Sequence, residues 1–182
     1  MLFVLIVRLI GSLFADTDRY FGSFGDFFSL SDEFFLGRGG SFTANPPYLD
    51  EPMLLMALRI DELFRKSAES GSNAALSFVI VVNSWPETNA LRALRLSEYN
   101  APRSPIELKR LEHAYRSGAD YKSVGSAFKL AKCDSAVFLF QNAEARLKWP
   151  LSEAAIHDIT HAFTSAAAQD QIDSKNEINS PL

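Results

Sequence analysis

The chain has 182 residues, of which 47% are hydrophobic and 22% are charged, with a formal net charge of −4. These values are typical of one globular domain with a real core, and they exclude a disordered chain. The single cysteine, Cys133, excludes an internal disulfide framework and a cysteine-rich zinc site, so a reducing compartment is the simpler interpretation.

The N-terminal stretch MLFVLIVRLIGSLFA, residues 1–15, is apolar but contains Arg8. It is too short to span a bilayer, and no basic residue precedes it as in a signal peptide, so we expect a buried helix or strand and no membrane partner. A chain that starts in core-like sequence is also expected to be the back portion of something longer. Residues 16–40 contain five glycines and little periodicity, which predicts a long loop with a function.

The next elements flank a run of four unusual residues. SFTA, residues 41–44, is predicted to be a short buried strand, and Asn45, Pro46, Pro47 and Tyr48 follow it. Asp50 is predicted to cap a helix whose first turn contains Pro52 and which ends before Gly71. One face of this helix is apolar at helical spacing (Met53, Met56, Ile60, Leu63 and Phe64).

The second half of the chain begins with LSFVIVV, residues 76–82, which is typical of a central strand covered on both faces. A Pro-punctuated connection follows, then a predicted helix from Pro105 to about Arg116. AFKLAK and AVFLFQN flank Cys133 and Asp134 and predict a hairpin. A last helix is expected over residues 152–168, before a polar, frayed tail. The order of elements indicates an α/β protein.

Basic residues are concentrated in one segment of the acidic chain. Residues 92–132 hold nine basic residues against four acidic ones. Such a segment is compatible with a phosphate-facing surface and equally with a solvated helix face. The basic residues are Arg92, Arg95, Arg103, Lys109, Arg110, Arg116, Lys122, Lys129 and Lys132.

The residues Asn45 to Tyr48 suit the handling of an adenine amine. In an open α/β sheet, ligands bind beyond the carboxyl ends of strands, which is where these residues fall. The Asn45 side-chain carbonyl and the Pro46 backbone carbonyl can each accept one amine hydrogen, and this aims the nitrogen lone pair at an incoming methyl group. The prolines fix the backbone, and Tyr48 offers a face for stacking on the base. Alternatively, N-P-P-Y is a polyproline-like turn or a ligand for a small binding domain.

Five stretches together resemble the phosphorylated CTD-interacting factor family, in the same order and with similar spacing from about residue 6 to 163. They are FADTDRYFGS (14–23), GSFTANPPY (40–48), LSFVIVV…W (76–85), EHAYRSG (112–118) and AVFLFQN (136–142). The resemblance implies an α/β, Rossmann-like methyltransferase core with S-adenosyl-L-methionine as the donor. It also implies capped mRNA with a cap-adjacent 2′-O-methyladenosine as the acceptor, N6-methyladenosine chemistry, and the nucleus as the setting.

Carried over by position, Asn45, Pro46, Pro47 and Tyr48 match the family's catalytic motif, whose last position is often Phe. Trp85, at the end of the central strand, is a candidate for stacking on the substrate and equally a core or rim aromatic. The family's WW domain, which binds the phosphorylated RNA polymerase II tail, is expected to be missing here, as are the first strands of the core. We therefore divide the chain into residues 1–168, the C-terminal part of a methyltransferase core, and residues 169–182, a polar tail.

Two other patterns are interpreted as non-functional. FLGRG, residues 35–39, matches the F-x-G-x-G donor pattern but is separated from Asn45 by only five residues, so we interpret it as part of the loop. His157 and His161 have metal-pair spacing without a third ligand, and we predict no metal.

Two other functions compete with a cap-adenosine methyltransferase. They are a truncated or non-catalytic module that binds RNA or a partner, and a fragment of a DNA adenine methyltransferase.

Overall fold

The structure is a computed structural model that describes residues 10–11, 23–116 and 128–178. Its architecture is mixed α/β, which confirms the predicted class. The strands are β1 (Ile10–Gly11), β2 (Ser23–Gly25), β3 (Gly40–Ala44), β4 (Leu76–Asn83), β5 (Ile106–Leu108), β6 (Ala114–Arg116), β7 (Phe128–Leu130) and β8 (Ser135–Gln141). The helices are α1 (Asp32–Leu36), α2 (Asp50–Glu69), α3 (Asn89–Leu96), α4 (Ala143–Lys148) and α5 (Glu153–Ile178).

A four-stranded sheet in the order β3-β4-β8-β5 forms the centre of the fold. Strands β3 and β4 are parallel, and β8 is antiparallel to both β4 and β5. It follows that β3, β4 and β5 all run in the same direction. The sheet is therefore mixed, and three carboxyl ends meet at one edge. Two small pairings, β1 with β2 and β6 with β7, lie outside this sheet.

Strand β4 is buried on both of its faces, as its continuous apolar sequence predicts. Phe78, Ile80 and Val82 belong to a main core cluster together with the apolar faces of α2 and α3. Val81 belongs to a second cluster on the opposite face, where side chains of β5, β8 and α5 pack. Because neighbouring residues of a strand point to opposite faces, a strand covered on both sides needs apolar residues without alternation.

Helix α2 confirms the predicted apolar face and the predicted end, but its capping residue is different. All five residues of that face are buried. The helix ends at Glu69, before Gly71. Leu49 occupies the N-cap position without a side-chain hydrogen bond. The Asp50 carboxylate instead accepts hydrogen bonds from the backbone N–H groups of Asn89 and Ala90, at 3.3 and 2.9 Å, and so caps the start of α3.

The helix predicted from Pro105 to about Arg116 is wrong. Residues 106–108 form β5, in which Ile106 and Leu108 are buried and Glu107 is exposed, the alternation of a strand. Leu111 has a φ of 64°, which no α-helix accommodates, and β6 follows it. Helix α3 lies in the preceding connection, where no helix is predicted.

The hairpin predicted around Cys133 and Asp134 is also wrong. Strand β7 pairs with β6, whereas β8 pairs with β4 and β5, so the two consecutive strands belong to different sheets. Asp134 secures the turn between them. Its carboxylate accepts from the backbone N–H of Arg110 at 2.8 Å, and its backbone carbonyl accepts from Ser84 at 2.9 Å.

Shorter elements correct the predicted loop and tail. Strand β2 and helix α1 lie within the predicted loop of residues 16–40, and α5 continues to Ile178 instead of ending near Ala168. Most of the apolar N-terminal stretch lies outside the described residues, apart from strand β1. In the part of the chain that the structure describes, no helix is both long and apolar enough to cross a membrane.

A single buried amide joins three elements at the amino end of β4. The Asn142 side-chain oxygen accepts from the backbone N–H groups of Leu76 and Ala145, at 3.0 and 2.9 Å. Its amide nitrogen donates to the Ala74 carbonyl at 2.8 Å and to the Ser67 hydroxyl at 3.3 Å. Asn142 is thus the N-cap of α4 and also secures α2 and β4.

Replacing Asn142 with Ala is expected to lower the free energy of unfolding by about 3 kcal/mol, because buried backbone groups lose their partners and α4 loses its cap. Urea denaturation with a constant m-value measures this change. The matched control is Asn73→Ala, since Asn73 is exposed, and its effect should stay within about 0.5 kcal/mol. Equal midpoints for the two variants would contradict the assigned role of Asn142.

Candidate functional site

The run Asn45–Tyr48 lies directly beyond the carboxyl end of β3, as predicted. Strand β3 ends at Ala44, which pairs with Ile80 of the parallel strand β4. Asn45 and Pro47 are exposed, whereas Pro46 and Tyr48 are half-buried. The four residues therefore sit at the edge of the sheet where an open α/β fold binds its ligands.

Tyr48 and Asn45 contact each other through their side chains. The Tyr48 hydroxyl donates to the Asn45 side-chain oxygen at 3.0 Å. A hydroxyl donor pairs with the amide oxygen and not with the NH₂ group, so this bond fixes which way the amide faces. An amide oxygen has two lone pairs, and one remains for an outside donor. The ring of Tyr48 is half-buried and packs against the main core cluster.

The two proline carbonyls have different roles. The Pro47 carbonyl accepts from the backbone N–H of Leu49 at 2.8 Å and closes the turn into α2. The Pro46 carbonyl accepts no hydrogen bond from the described residues. Asn45 and Pro46 therefore present two acceptor oxygens with free capacity, one on a side chain and one on the backbone, at the same exposed turn.

Burial is the main reason that the pKa of Tyr48 is raised to about 12, and the neighbouring Tyr115 and Cys133 make smaller contributions in the same direction. The hydroxyl is consequently a neutral donor throughout the physiological pH range. The pKa of Tyr115 is also raised, again chiefly by burial. The site is thus built from neutral groups.

Trp85 follows β4 at the same edge of the sheet. Its side chain is 39% exposed, and its carbonyl accepts from the Thr88 hydroxyl at 2.9 Å, at the start of α3. Because the Asp50 carboxylate caps α3, the turn that carries Tyr48 and the turn that carries Trp85 are joined. Among the described aromatic rings, no contact links Trp85 with Tyr48. The use of Trp85 in substrate binding therefore stays a prediction.

A hydrogen-bonded cluster of three polar residues, His113, Tyr115 and Ser135, is missed by the sequence analysis. His113 is fully buried, and its Nε2 lies 2.9 Å from the Ser135 hydroxyl oxygen. The Tyr115 hydroxyl donates to the same Ser135 oxygen at 2.8 Å. The available signal is the spacing in EHAYRSG, since alternate residues of a strand share a face. The choice of Ser135 as their partner depends on the pairing of distant strands.

The basic segment is divided among several elements and is not one helix face. Arg95 pairs with Glu107, Arg103 with Glu153 and Lys109 with Asp134, so these three charges are already matched. No ion pair is found in the described residues for Arg92, Arg110, Lys129 and Lys132. Lys122 and the side chain of Arg116 lie outside the description. An open concavity next to Trp85 is lined in part by Thr88, Arg92 and Arg95.

The glycines of FLGRG have a packing role. Phe35 is buried in α1, and the backbone N–H of Gly40 donates to the Ala75 carbonyl at 2.7 Å. A Cβ at Gly39, whose φ is 63°, would lie 2.4 Å from that carbonyl oxygen. These glycines let the backbone before β3 pass close to Ala75, at the start of β4. They therefore do not form an open loop that could hold a methyl donor.

The two histidines of α5 lie on its solvent side. His157 and His161 are exposed, with ring centroids 6.0 Å apart. Within residues 23–116 and 128–178, no group of three or more His, Cys, Asp or Glu residues is arranged to hold a metal ion.

Comparison with known proteins gives a family match and curated relatives. The family model described as "Phosphorylated CTD interacting factor 1 WW domain" matches residues 7–118, more than half of the chain. The chain is 34% identical over 157 residues to the "mRNA (2'-O-methyladenosine-N(6)-)-methyltransferase" of Mus musculus, and 32% identical over 157 residues to the protein of the same name from Homo sapiens.

Both alignments cover 84% of this chain but only 20% of each relative, so the chain spans about a fifth of the length of the curated relatives. The description of the matching family model names a WW domain, which the sequence analysis expects to be missing. The described part of the matched range contains a parallel strand pair, β3 and β4, and the 20-residue helix α2.

The raised pKa of Tyr48 predicts how stability depends on pH. The folded state retains the phenol proton to about 12, whereas the unfolded state releases it near 10.0, so this contribution is present below pH 10.0 and lost as the pH rises to about 12. Thermal unfolding between these pH values should show a smaller fall in Tm for Tyr48→Phe than for the wild type. Parallel pH curves for the two proteins would contradict the assignment.

Proposed function

Because the chain belongs to the phosphorylated CTD interacting factor 1 family, we propose that it carries the acceptor side of an mRNA (2′-O-methyladenosine-N6-)-methyltransferase active site. The observation that carries this proposal is the pair of free acceptor oxygens on Asn45 and Pro46 at the carboxyl end of β3. The relatives named for this activity cover most of the chain.

The sheet supports a Rossmann-like arrangement for this proposed core. Strands β3, β4 and β5 run in one direction, with α2 and α3 packed on one face and α5 on the other. Ligands of such folds bind at the carboxyl edge, where Asn45 lies.

The acceptor residues are suited to a weakly nucleophilic amine. The lone pair of an adenine amine is delocalised into the ring, so the amine must be held in a reactive shape. Asn45 Oδ1 and the Pro46 carbonyl each accept one amine hydrogen, which favours a pyramidal nitrogen with its lone pair directed at a methyl group. Tyr48 stacks on the base, and Pro47 restricts the backbone of Pro46. Catalysis on this side rests on positioning and preorganised dipoles.

S-adenosylmethionine is the proposed methyl donor, since the relatives are named methyltransferases. FLGRG is the one stretch of the described residues that matches a donor-binding glycine pattern. It does not fit a donor site, because Gly39 packs against the backbone of Ala75. For this reason the mechanism is confined to the acceptor, and no step is derived through the donor.

The proposed acceptor is capped mRNA, and the proposed setting is the nucleus. Arg92, Arg110, Lys129 and Lys132 are candidates for phosphate contacts, since the three paired cations are already matched by acids. Neutralised phosphates release counterions, so the affinity for capped RNA should fall steeply with salt. Binding of a phosphorylated RNA polymerase II tail is a proposal that rests on the family description.

Titration calorimetry with S-adenosylmethionine, followed by a methyl-transfer assay, tests this function. We expect donor binding, transfer to RNA with a cap-adjacent 2′-O-methyladenosine, and a loss of about 100-fold in kcat for Asn45→Ala, which removes one acceptor oxygen. Asn73→Ala, a change at an exposed residue outside the motif, should leave kcat unchanged.

The acceptor panel separates the rival functions. Transfer to an adenine in DNA, but not to capped RNA, would support a DNA adenine methyltransferase fragment. Absence of donor binding at millimolar S-adenosylmethionine, with capped RNA still bound, would contradict an independent enzyme and support a non-catalytic RNA-binding module.

A further inference from the structure

The Asp50 carboxylate joins the start of α2, directly after the acceptor turn Asn45–Tyr48, to the start of α3. Its Oδ1 accepts from the backbone N–H of Ala90 at 2.9 Å. Its Oδ2 accepts from the backbone N–H and from the side-chain NH₂ of Asn89, at 3.3 and 3.4 Å. Because both oxygens are engaged, the carboxylate is held in one orientation between the two helices.

Asp50 is itself fixed relative to the acceptor turn. It follows Tyr48 by two residues. The Leu49 backbone N–H donates to the Pro47 carbonyl at 2.8 Å, and the Leu49 carbonyl accepts from the backbone N–H of Met53 at 3.1 Å. These bonds close the connection into α2 without the Asp50 side chain. The acceptor turn therefore keeps its own bonds when that side chain is changed.

On the other side, Thr88 joins the start of α3 to Trp85. Its hydroxyl oxygen accepts from the backbone N–H of Leu91 at 3.4 Å, as the N-cap of α3, and the hydroxyl donates to the Trp85 carbonyl at 2.9 Å. The backbone N–H of Thr88 donates to the same carbonyl at 3.1 Å. Residues 85–88, the Trp85 turn, are thus held to the first turn of α3, which Asp50 holds to α2.

The Trp85 turn offers a surface to a ligand. The Trp85 side chain is 39% exposed, and the next residue, Pro86, lines an open concavity together with Thr88. An exposed indole is a stacking face for any nucleic-acid base. Hydrogen bonds between described residues therefore connect two turns at the carboxyl edge of the sheet, one with acceptor oxygens and one with a stacking face.

We propose that Asp50 is a positioning residue that fixes the Trp85 turn relative to the acceptor turn, so that Trp85 stacks on a nucleotide of the RNA while Asn45 holds the target adenine. This inference rests on the proposed function and deepens it. Two binding groups that are already at the right separation need not be ordered when the RNA binds, and this raises the affinity.

The test variant is Asp50→Asn, which keeps the size of the side chain. An amide has one acceptor oxygen and one NH₂ group. Its oxygen can keep the bond from Ala90, whereas its NH₂ group would face the donors of Asn89. The matched control is Glu51→Gln, which removes the same charge from an exposed neighbour in the first turn of α2.

The first measurement needs no RNA. Amide hydrogen exchange, followed by NMR, should become about 5-fold faster at Asn89 in Asp50→Asn, because this N–H loses its acceptor. Exchange in β4 should stay unchanged, since its pairing with β3 and β8 is not touched. Glu51→Gln should change neither rate. Equal exchange at Asn89 in the wild type and Asp50→Asn would overturn the inference.

The second measurement is the Kd for capped RNA that carries a cap-adjacent 2′-O-methyladenosine, by fluorescence anisotropy. Trp85→Ala should raise Kd by about 10-fold, the loss of one stacked base. Asp50→Asn should raise it by about 3-fold in the wild type and cause no further change in Trp85→Ala, since Asp50 acts through Trp85. In methyl transfer, Asp50→Asn should raise KM and leave kcat nearly unchanged.

The outcomes separate this inference from the proposed function. Additive effects of Asp50→Asn and Trp85→Ala on Kd, an equal effect of Glu51→Gln, or a lower kcat with unchanged KM would overturn the positioning role. No binding of the capped RNA by the wild type would overturn it as well. A wild type that binds the RNA with the non-additive pattern but transfers no methyl group would overturn the proposed function and leave the role of Asp50 in RNA binding established.

Discussion

The antiparallel register between β4 and β8 supports both the core and the candidate site. It pairs Ser77 with Gln141 at one end and Asn83 with Ser135 at the other. A shift of one residue would exchange the faces of β8 and move Phe138 and Phe140 out of the main cluster. The same shift would turn Ser135 away from His113 and Tyr115. The pairing of β4 with β8 therefore determines both the packing of the aromatic core and the hydrogen bonds of Ser135 with His113 and Tyr115.

The acceptor turn and the polar cluster of Tyr115, Ser135 and His113 depend on different physical effects. Asn45 is exposed and Pro46 is half-buried, on a turn made rigid by two prolines. Tyr115, Ser135 and His113 are held by burial and by hydrogen bonds between fixed elements.

Charged side chains stabilise the elements around the acceptor turn, and none belongs to the turn Asn45–Tyr48 itself. Asp50 caps α3, Asp134 secures the turn before β8, and Glu107 pairs with Arg95. The backbone N–H of Arg110 is the main reason that the pKa of Asp134 is lowered, so this carboxylate is ionised in its structural role. The acceptor turn itself consists of neutral groups, which suits a nucleophile that needs orientation and not a strong base.

The sequence by itself determined the features that depend on local pattern. The strands at SFTA and LSFVIVV, the apolar face of α2 and the motif Asn45–Tyr48 were all predictable, because burial periodicity and proline geometry are properties of short segments. Tertiary structure alone decided the features that depend on distant partners. Residues 106–108 form a strand because they pair with the edge of β8. Strand β7 pairs with β6 instead of β8, and Asp50 caps α3 instead of α2. The contact of Tyr115 with Ser135 belongs to the same class, since long-range pairing places two residues together that no local pattern connects.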